Sequence, residues 1–302
     1  MMMRNLRLRK LVAAAAALLT ACTATTAPVV EAPPAAAAPA LWKVADDDTT
    51  IYLFGTIHAL PEGVEWQTPR LREALDAADT LVLEIANADS METATVMAKL
   101  GRSPGLPPLL DRVPADRREV LAARIASLGL PAEALDQFET WAAALTLLAA
   151  SFVKMGFSTE LGADRQLLGA LGDGTREVVG LETAEQQLGY FDALSEESQR
   201  ELLVSVISDE ASNKKEFEQM VRAWLAGDVD AIAETFNSEM TLTPELRETL
   251  LRNRNARWAS WIEKRLDQPG TVLVAVGAGH LAGEDSVQVM LGGRGLQAQR
   301  VQ

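Results

Sequence analysis

The chain has 302 residues, a formal net charge of −14, 48% hydrophobic residues, one cysteine and two histidines. That apolar content supports a folded core and excludes a chain disordered throughout. The acidic balance argues against nucleic acid or an anionic membrane surface as partner, and a lone cysteine excludes an intramolecular disulfide.

The first predicted element is a leader. Arg4, Arg7, Arg9 and Lys10 precede the apolar run Leu11–Leu19, the pattern of a secretory signal too short to span a bilayer as a permanent helix. It closes on Leu19-Thr20-Ala21-Cys22, which resembles a bacterial lipobox. On that reading residues 1–21 are a signal peptide and Cys22 is lipidated; the alternative is a leftover thiol in a leader cut elsewhere, near Ala27. Neither Thr23 nor Ala24 is an aspartate, which in a Gram-negative lipoprotein favours the outer membrane. The expectation is a protein on the periplasmic face of the outer membrane, touching the membrane only through its lipid anchor. Residues 22–40 then form a tether of Ala, Pro and Thr with little to bury, and the folded part runs from Leu41 to Gln302.

Leu41–Val44 and Thr50–Phe54, separated by three aspartates, read as a hairpin. Thr68–Ala78 reads as a helix with Pro69 in its first turn, and Thr80–Ile85 as a buried strand. Helical periodicity dominates from Asp89 to Phe157, with breaks at Pro104–Pro108 and Gly129-Leu130-Pro131. The loop Leu106–Leu110 is a candidate lid. The apolar stretch Trp141–Val153 ends at Lys154 and is shorter than the roughly 20 residues of a transmembrane helix, so it reads as a buried helix. Glu177–Val179 is a further strand and Thr183–Phe191 a helix. Helices again fill Ser195–Leu266, followed by strand Thr271–Val276, a helix near Asp285–Leu291 and a last strand Leu296–Val301. Strands separated by helices predict an α/β fold: a mixed or mostly parallel central sheet flanked by helices, with helical insertions at about 89–157 and 195–266 forming a cap.

In open α/β sheets ligands bind beyond the carboxyl ends of the strands. His58 follows the strand ending at Phe54, and Glu84 lies at the end of the next. Glu182 follows Glu177–Val179 through a Gly180-Leu181 turn, and His280 follows Thr271–Val276. Four strands thus deliver a histidine or a glutamate to one edge. Both histidines sit in the same frame, Gly55-Thr56-Ile57-His58 and Gly277-Ala278-Gly279-His280. The bland alternative is two unrelated structural histidines, and Glu182 beside Thr183 also reads as a charge at a helix start. Glu84, between Leu83 and Ile85, is expensive to bury unless paired or bound to metal. Two imidazoles with one or two carboxylates suit Zn, Mn, Co or non-haem Fe. Such an ion acidifies a bound water and polarises a carbonyl, and a glutamate outside the ligand set can take the proton. Spacing leaves open which glutamate is ligand and which is base.

Further motifs run down the chain in order. Trp42-Lys43-Val44 and Thr50-Ile51-Tyr52-Leu53-Phe54-Gly55-Thr56-Ile57-His58 come first, then Leu83-Glu84-Ile85 and Gly162-Ala163-Asp164. Gly180-Leu181-Glu182-Thr183-Ala184-Glu185-Gln186, Arg254-Asn255-Ala256-Arg257-Trp258 and Val276-Gly277-Ala278-Gly279-His280-Leu281-Ala282-Gly283 follow. Together they resemble the TraB/GumN family, which includes the Tiki membrane proteases. The resemblance covers essentially all of Leu41–Gln302 and implies a metal-dependent hydrolase, a peptidase supported by manganese or cobalt, with zinc also compatible. It implies His58, His280 and Glu84 as metal ligands and Glu84 and Glu182 as catalytic carboxylates. Arg254 and Asn255 match a polar pair suited to an oxyanion or a substrate carboxylate; their alternative is an exposed helix start. Asp164 is an expected partner orienting an imidazole, or a helix cap. Erythromycin esterases and haem-binding lipoproteins are more distant relatives, so a shared fold leaves the reaction open. The competing expectation is a non-catalytic lipoprotein binding metal, haem or a small ligand in the same pocket.

Overall fold

The computed structural model describes residues 37–86, 90–170, 176–207, 210–239 and 243–302. The leader, Cys22 and residues 22–36 of the tether lie outside them, as does Asp89 at the start of the first helical stretch.

Strands β1 (Leu41–Ala45) and β2 (Thr49–Thr56) form an antiparallel hairpin. The Asp46 carboxylate holds its turn by accepting from the Asp48 and Thr49 N–H groups at 3.2 and 2.8 Å. Helix α1 (Pro69–Ala77) starts where the Thr68 hydroxyl caps the Leu71 N–H and Pro69 supplies a helix-ready φ. Strand β3 (Thr80–Ile85) leads into α2 (Ser90–Leu100), α3 (Arg118–Ser127), α4 (Ala132–Leu135), α5 (Thr140–Lys154) and α6 (Ala163–Ala170). After β4 (Glu177–Glu182), a capping box between Thr183 and Gln186 starts α7 (Ala184–Asp192). Helices α8 (Glu196–Val206), α9 (Glu210–Leu225), α10 (Val229–Glu239), α11 (Pro244–Arg247) and α12 (Asn253–Arg265) follow. Strand β5 (Gly270–Gly277), α13 (Val287–Gly292) and β6 (Gln299–Arg300) complete the chain.

The sheet has the order β4-β3-β5-β2-β1-β6. Its first four strands are parallel, and β1 runs antiparallel to both its neighbours. The fold is therefore the predicted α/β arrangement, with a mixed, mostly parallel sheet. Register brings the carboxyl ends level: Thr56 pairs with Gly277, Leu83 with Ala275 and Ile85 with Glu182.

Alternation along β5 builds the core on both faces. Val272, Val274 and Val276 join Trp42, Leu53, Trp258 and Ile262 on one side. Leu273 and Ala275 join Phe54, Trp66, Leu71 and Trp224 on the other. A third apolar cluster holds Leu121, Ile125, Leu147, Leu203 and Leu246 and no strand residue, so the two helical stretches share a core of their own. The Trp141–Val153 stretch lies in α5 with Trp141, Ala143 and Leu147 buried. Among the described residues, no helix is long and apolar enough to cross a membrane.

Four local expectations change. The fold begins before Leu41: the Ala38 N–H donates to Leu225 O at 2.8 Å and Gln302 Nε2 to Pro39 O at 2.6 Å. Strand β4 continues through Gly180 and Leu181, because the parallel pairing with β3 extends to Glu182 and no turn intervenes. The final strand shrinks to Gln299–Arg300, since the Leu296 N–H turns back to Leu291 O. The Leu106–Leu110 loop is tied down: the Arg112 guanidinium donates to Pro107 O at 2.9 Å and Asp136 O at 2.6 Å, and Leu109 is buried.

Candidate functional site

Each parallel strand hands one group to the level edge. β2 ends at Thr56, and the chain turns through Ile57 to His58. There Ile57 O accepts from the Ala163 N–H at 2.9 Å. A Cβ on Gly162 would lie 2.4 Å from His58 O, so only glycine allows this approach. The contact seats α6 behind His58, whose Nδ1 lies 3.4 Å from Asp164 Oδ1. That oxygen is buried and makes no hydrogen bond with another group. The His58 side chain is 57% exposed.

Glu84 is the penultimate residue of β3, and its carboxylate lies at the centre. Oε1 accepts from the Gly277 N–H at 2.8 Å. The same oxygen is 3.7 Å from His58 Nε2 and 3.9 Å from His280 Nε2. The two ring nitrogens therefore lie no further apart than the sum of those distances. Oε2 accepts from Arg254 Nη2 at 2.6 Å and Gln187 Nε2 at 2.8 Å. Gly277 has its own requirement: a Cβ there would sit 3.1 Å from His58 Nε2 and 3.2 Å from Glu84 Oε1. Its missing side chain keeps the space among the three donors open.

His280 lies on a 3-10 turn directly after β5. Its Nδ1 is 2.6 Å from Asn255 Oδ1, and the Asn255 amide donates to Asp285 O at 2.7 Å and His280 O at 3.4 Å. With its amide nitrogen donating, Asn255 presents its oxygen to the ring. The proton of neutral His280 is therefore on Nδ1, and the Nε2 lone pair faces the centre. Trp258 packs beside it, ring centroids 4.4 Å apart.

Arg254 enters from α12, whose inward face carries Arg254, Asn255, Trp258, Ala259 and Ile262. A π-helical turn at Glu248–Arg252 immediately precedes it, a distortion common at functional sites. Arg254 Nε donates to Glu182 at 3.0 Å, and Nη2 donates to Glu84 at 2.6 Å and Glu182 at 2.8 Å. Nη1 donates to Leu250 O at 3.2 Å and His280 Nε2 at 3.1 Å. All five donors of the guanidinium are engaged within the protein. Asn255, 0% exposed, is equally committed, so neither residue presents a spare donor to a ligand. Glu182 ends β4 with its side chain 2% exposed and both oxygens on Arg254, so it holds Arg254 in place and is shielded from the open side.

Protonation follows from these contacts. Burial, with Arg254 and His58 nearby, outweighs Glu84 and lowers His280 to about 3, so it is neutral. Burial also pulls on His58, but Asp164 and Glu84 outweigh it and raise this group to about 9. Burial pushes Glu84 up, yet His280, Arg254, His58 and the Gly277 N–H hold it well below the usual carboxylate range. Of these neighbours, Arg254 carries the permanent charge.

The donors are of the kind a divalent ion takes, and the two separations from Glu84 Oε1 come close to what one requires. Separations of 3.7 and 3.9 Å from Glu84 Oε1 to the imidazoles are too long for hydrogen bonds. Ligands held about 2.1 Å from a tetrahedral ion lie roughly 3.4 Å from one another, only slightly closer. One group competes. Arg254 Nη1 engages the His280 lone pair that an ion would use, and among the described residues no three such side chains form a ready-made metal centre.

The expected residues His58, Glu84, Asp164, Glu182, Arg254, Asn255 and His280 thus share one network, while Cys22 lies outside the described residues. Sequence reasoning missed Gln187, Tyr190 and the packing of Trp258. A signal existed for each: Gln187 and Tyr190 lie three residues apart on α7, which starts just after Glu182, with the Tyr190 ring centre 5.9 Å from the Arg254 guanidinium carbon, and Trp258 lies four residues after Arg254.

A model of the TraB/PrgY/gumN family matches residues 40–300. The uncharacterised protein YbaP of Escherichia coli (strain K12) is 28% identical over 257 residues, 84% of this chain and 92% of that protein. YbaP of Shigella flexneri is 29% identical over 244 residues, 80% of this chain and 87% of that protein. An uncharacterised protein of Treponema pallidum (strain Nichols) is 23% identical over 265 residues, covering 82% and 78% respectively. No solved structure matches the chain.

Proposed function

The chain belongs to the TraB/PrgY/gumN family, and on that premise we propose that it is a metal-dependent hydrolase, a peptidase, whose centre is Glu84 with His58 and His280. The observation that carries the reading is the approach of both imidazoles to one carboxylate oxygen, at 3.7 and 3.9 Å. His58 Nε2, His280 Nε2 and Glu84 Oε1 would hold the ion, with manganese, cobalt and zinc as the candidates. When bound, it would supply an acidified water and a polarised carbonyl.

The chain's own residues do the rest. Asn255 holds His280 in the tautomer whose lone pair faces the centre. Arg254 and Gln187 orient Glu84 through Oε2 and leave Oε1 to the centre. Glu182 fixes Arg254 and acts through it, as a positioning residue. Asp164 holds the outer nitrogen of His58. With Glu182 enclosed and His58 a ligand, Asp164, its side chain 27% exposed beside His58, is the carboxylate left to exchange a proton with a substrate. His58 must give up its proton before its Nε2 can ligate, so ion binding releases a proton.

A second reading keeps the hydrolase and dispenses with the ion: the His58–Asp164 pair alone moves the proton. The Arg254–His280 contact favours it, because that hydrogen bond engages the metal-facing lone pair. Turnover of a peptide library by the purified protein, with Mn, Co or Zn added or after chelation, tests both. The proposal expects ion-dependent cleavage that is lost in His58→Ala and in His280→Ala with the fold retained. Cleavage that survives chelation selects the second reading. No cleavage under any condition removes the hydrolase.

The same proposal places the site outside the cytoplasm, on a lipid anchor at Cys22. Cys22→Ser should abolish incorporation of labelled fatty acid into the protein; labelling that persists would contradict the anchor.

A further inference from the structure

We propose that Arg257 is the carboxylate anchor of this site and directs it to substrates bearing a carboxylate close to the bond that is cut. The polar pair that looked available in the sequence is not: every donor of Arg254 is engaged, and Asn255 is sealed from solvent. Arg257 lies one turn further along α12, three residues from Arg254, with its side chain 50% exposed. Its Nη2 lies 3.9 Å from Glu182 Oε1, an oxygen that already accepts from Arg254 Nε at 3.0 Å. Its guanidinium carbon lies over the Tyr190 ring, 4.9 Å from the ring centre. The guanidinium also donates to the Tyr190 hydroxyl; with half of its side chain exposed, its remaining N–H groups can reach a carboxylate.

Distance sets the reach. The Glu182 carboxylate and the Arg254 guanidinium link Arg257 to Glu84, with Arg254 bridging the two acids at 2.8 and 2.6 Å. Arg257 therefore lies no more than roughly 12 Å from Glu84, a span that three or four extended residues cover at about 3.5 Å each. The chain carries a net charge of −14, and its general field repels anions. A carboxylate held here owes its binding to this local cation. The free carboxylate of a peptide end and an acidic side chain supply the same chemistry. Arg257 is thus a specificity-determining residue, and the assignment needs the hydrolase reading only for the step after binding.

The test uses acetyl-Ala-Ala-Ala, its carboxyl amide and acetyl-Ala-Asp-Ala-amide, each titrated by NMR into the whole protein and its Arg257→Lys and Arg257→Gln variants. Cleavage is followed separately. The free acid should bind the wild type about tenfold more tightly than the amide, as expected for a charge-assisted bidentate pair. Arg257→Gln should abolish that ratio and Arg257→Lys keep part of it, with amide affinity the same in all three proteins. If the aspartyl peptide matches the free acid, side-chain carboxylates are recognised; if it matches the amide, the anchor reads peptide ends. Equal binding of acid and amide overturns the proposal, as does a preference that survives Arg257→Gln or no binding of either at millimolar concentration. An Arg257-dependent preference without cleavage keeps the anchor and removes the hydrolase. Cleavage indifferent to the carboxylate does the reverse.

Discussion

His58 and His280 approach the same oxygen of Glu84 but differ in charge, one protonated and one neutral, so each has its own test. In chelator-treated protein the two histidines give two ring signals by NMR. One should titrate near 9 and move towards 6.5 in Asp164→Asn, while the other should stay neutral down to about 3. A His58 midpoint near its ordinary value would remove the role given to Asp164. Because the His58 value is raised, its pairing stabilises the fold fully below the unfolded value of 6.5. That contribution is lost as pH rises through about 9. Denaturant midpoints compared between wild type and Asp164→Asn should converge over that window. Asn255→Ala leaves the His280 Nδ1–H unsatisfied in a buried place, at a cost of about 1–3 kcal/mol in urea unfolding. The ring then loses its fixed tautomer, so ion affinity should fall as well.

Two elements carry the arrangement, α12 and the end of β5. Arg254→Met removes the cation between Glu84 and Glu182 and leaves two buried carboxylates facing each other. Breaking a buried pair in this way costs about 3–5 kcal/mol, so a change in unfolding free energy below 1 kcal/mol would show that the network is not a unit. Gly277→Ala places a Cβ against His58 Nε2 and Glu84 Oε1 at distances their side chains can relieve by small shifts. Stability should hardly change, while ion affinity drops on the order of tenfold; calorimetry of both quantities checks it. The ends of the strands were legible because alternation and turn residues mark them: Val272–Val276 reads as a strand, and His280 follows it. Gly180 was misleading. Glycine usually punctuates a strand, but here pairing with Leu83 outweighs the local signal and carries β4 to Glu182. The exposure of α12 was equally hidden, since the face that Arg254 and Asn255 present depends on the π turn before them, which no spacing rule reveals.

At the scale of the whole molecule, the sheet delivers four groups to one edge, and the helices decide which of them remain accessible. The assignment of His58, Glu84, Glu182 and His280 to that edge was legible from strand order alone. The division of labour among them was not, because it depends on which oxygen each donor reaches. Glu182 and Glu84 look alike in sequence, yet one is enclosed by Arg254 and the other faces both imidazoles. The central claim is that two distant histidines hold one ion through Glu84. Cobalt(II) titration of the purified protein, read by visible absorption and compared with His58→Ala and His280→Ala, tests it most directly. The account predicts one equivalent bound by the wild type and none by either variant, with unchanged far-ultraviolet circular dichroism. Binding that survives in either variant, or a folded wild type that takes up no cobalt, would contradict it.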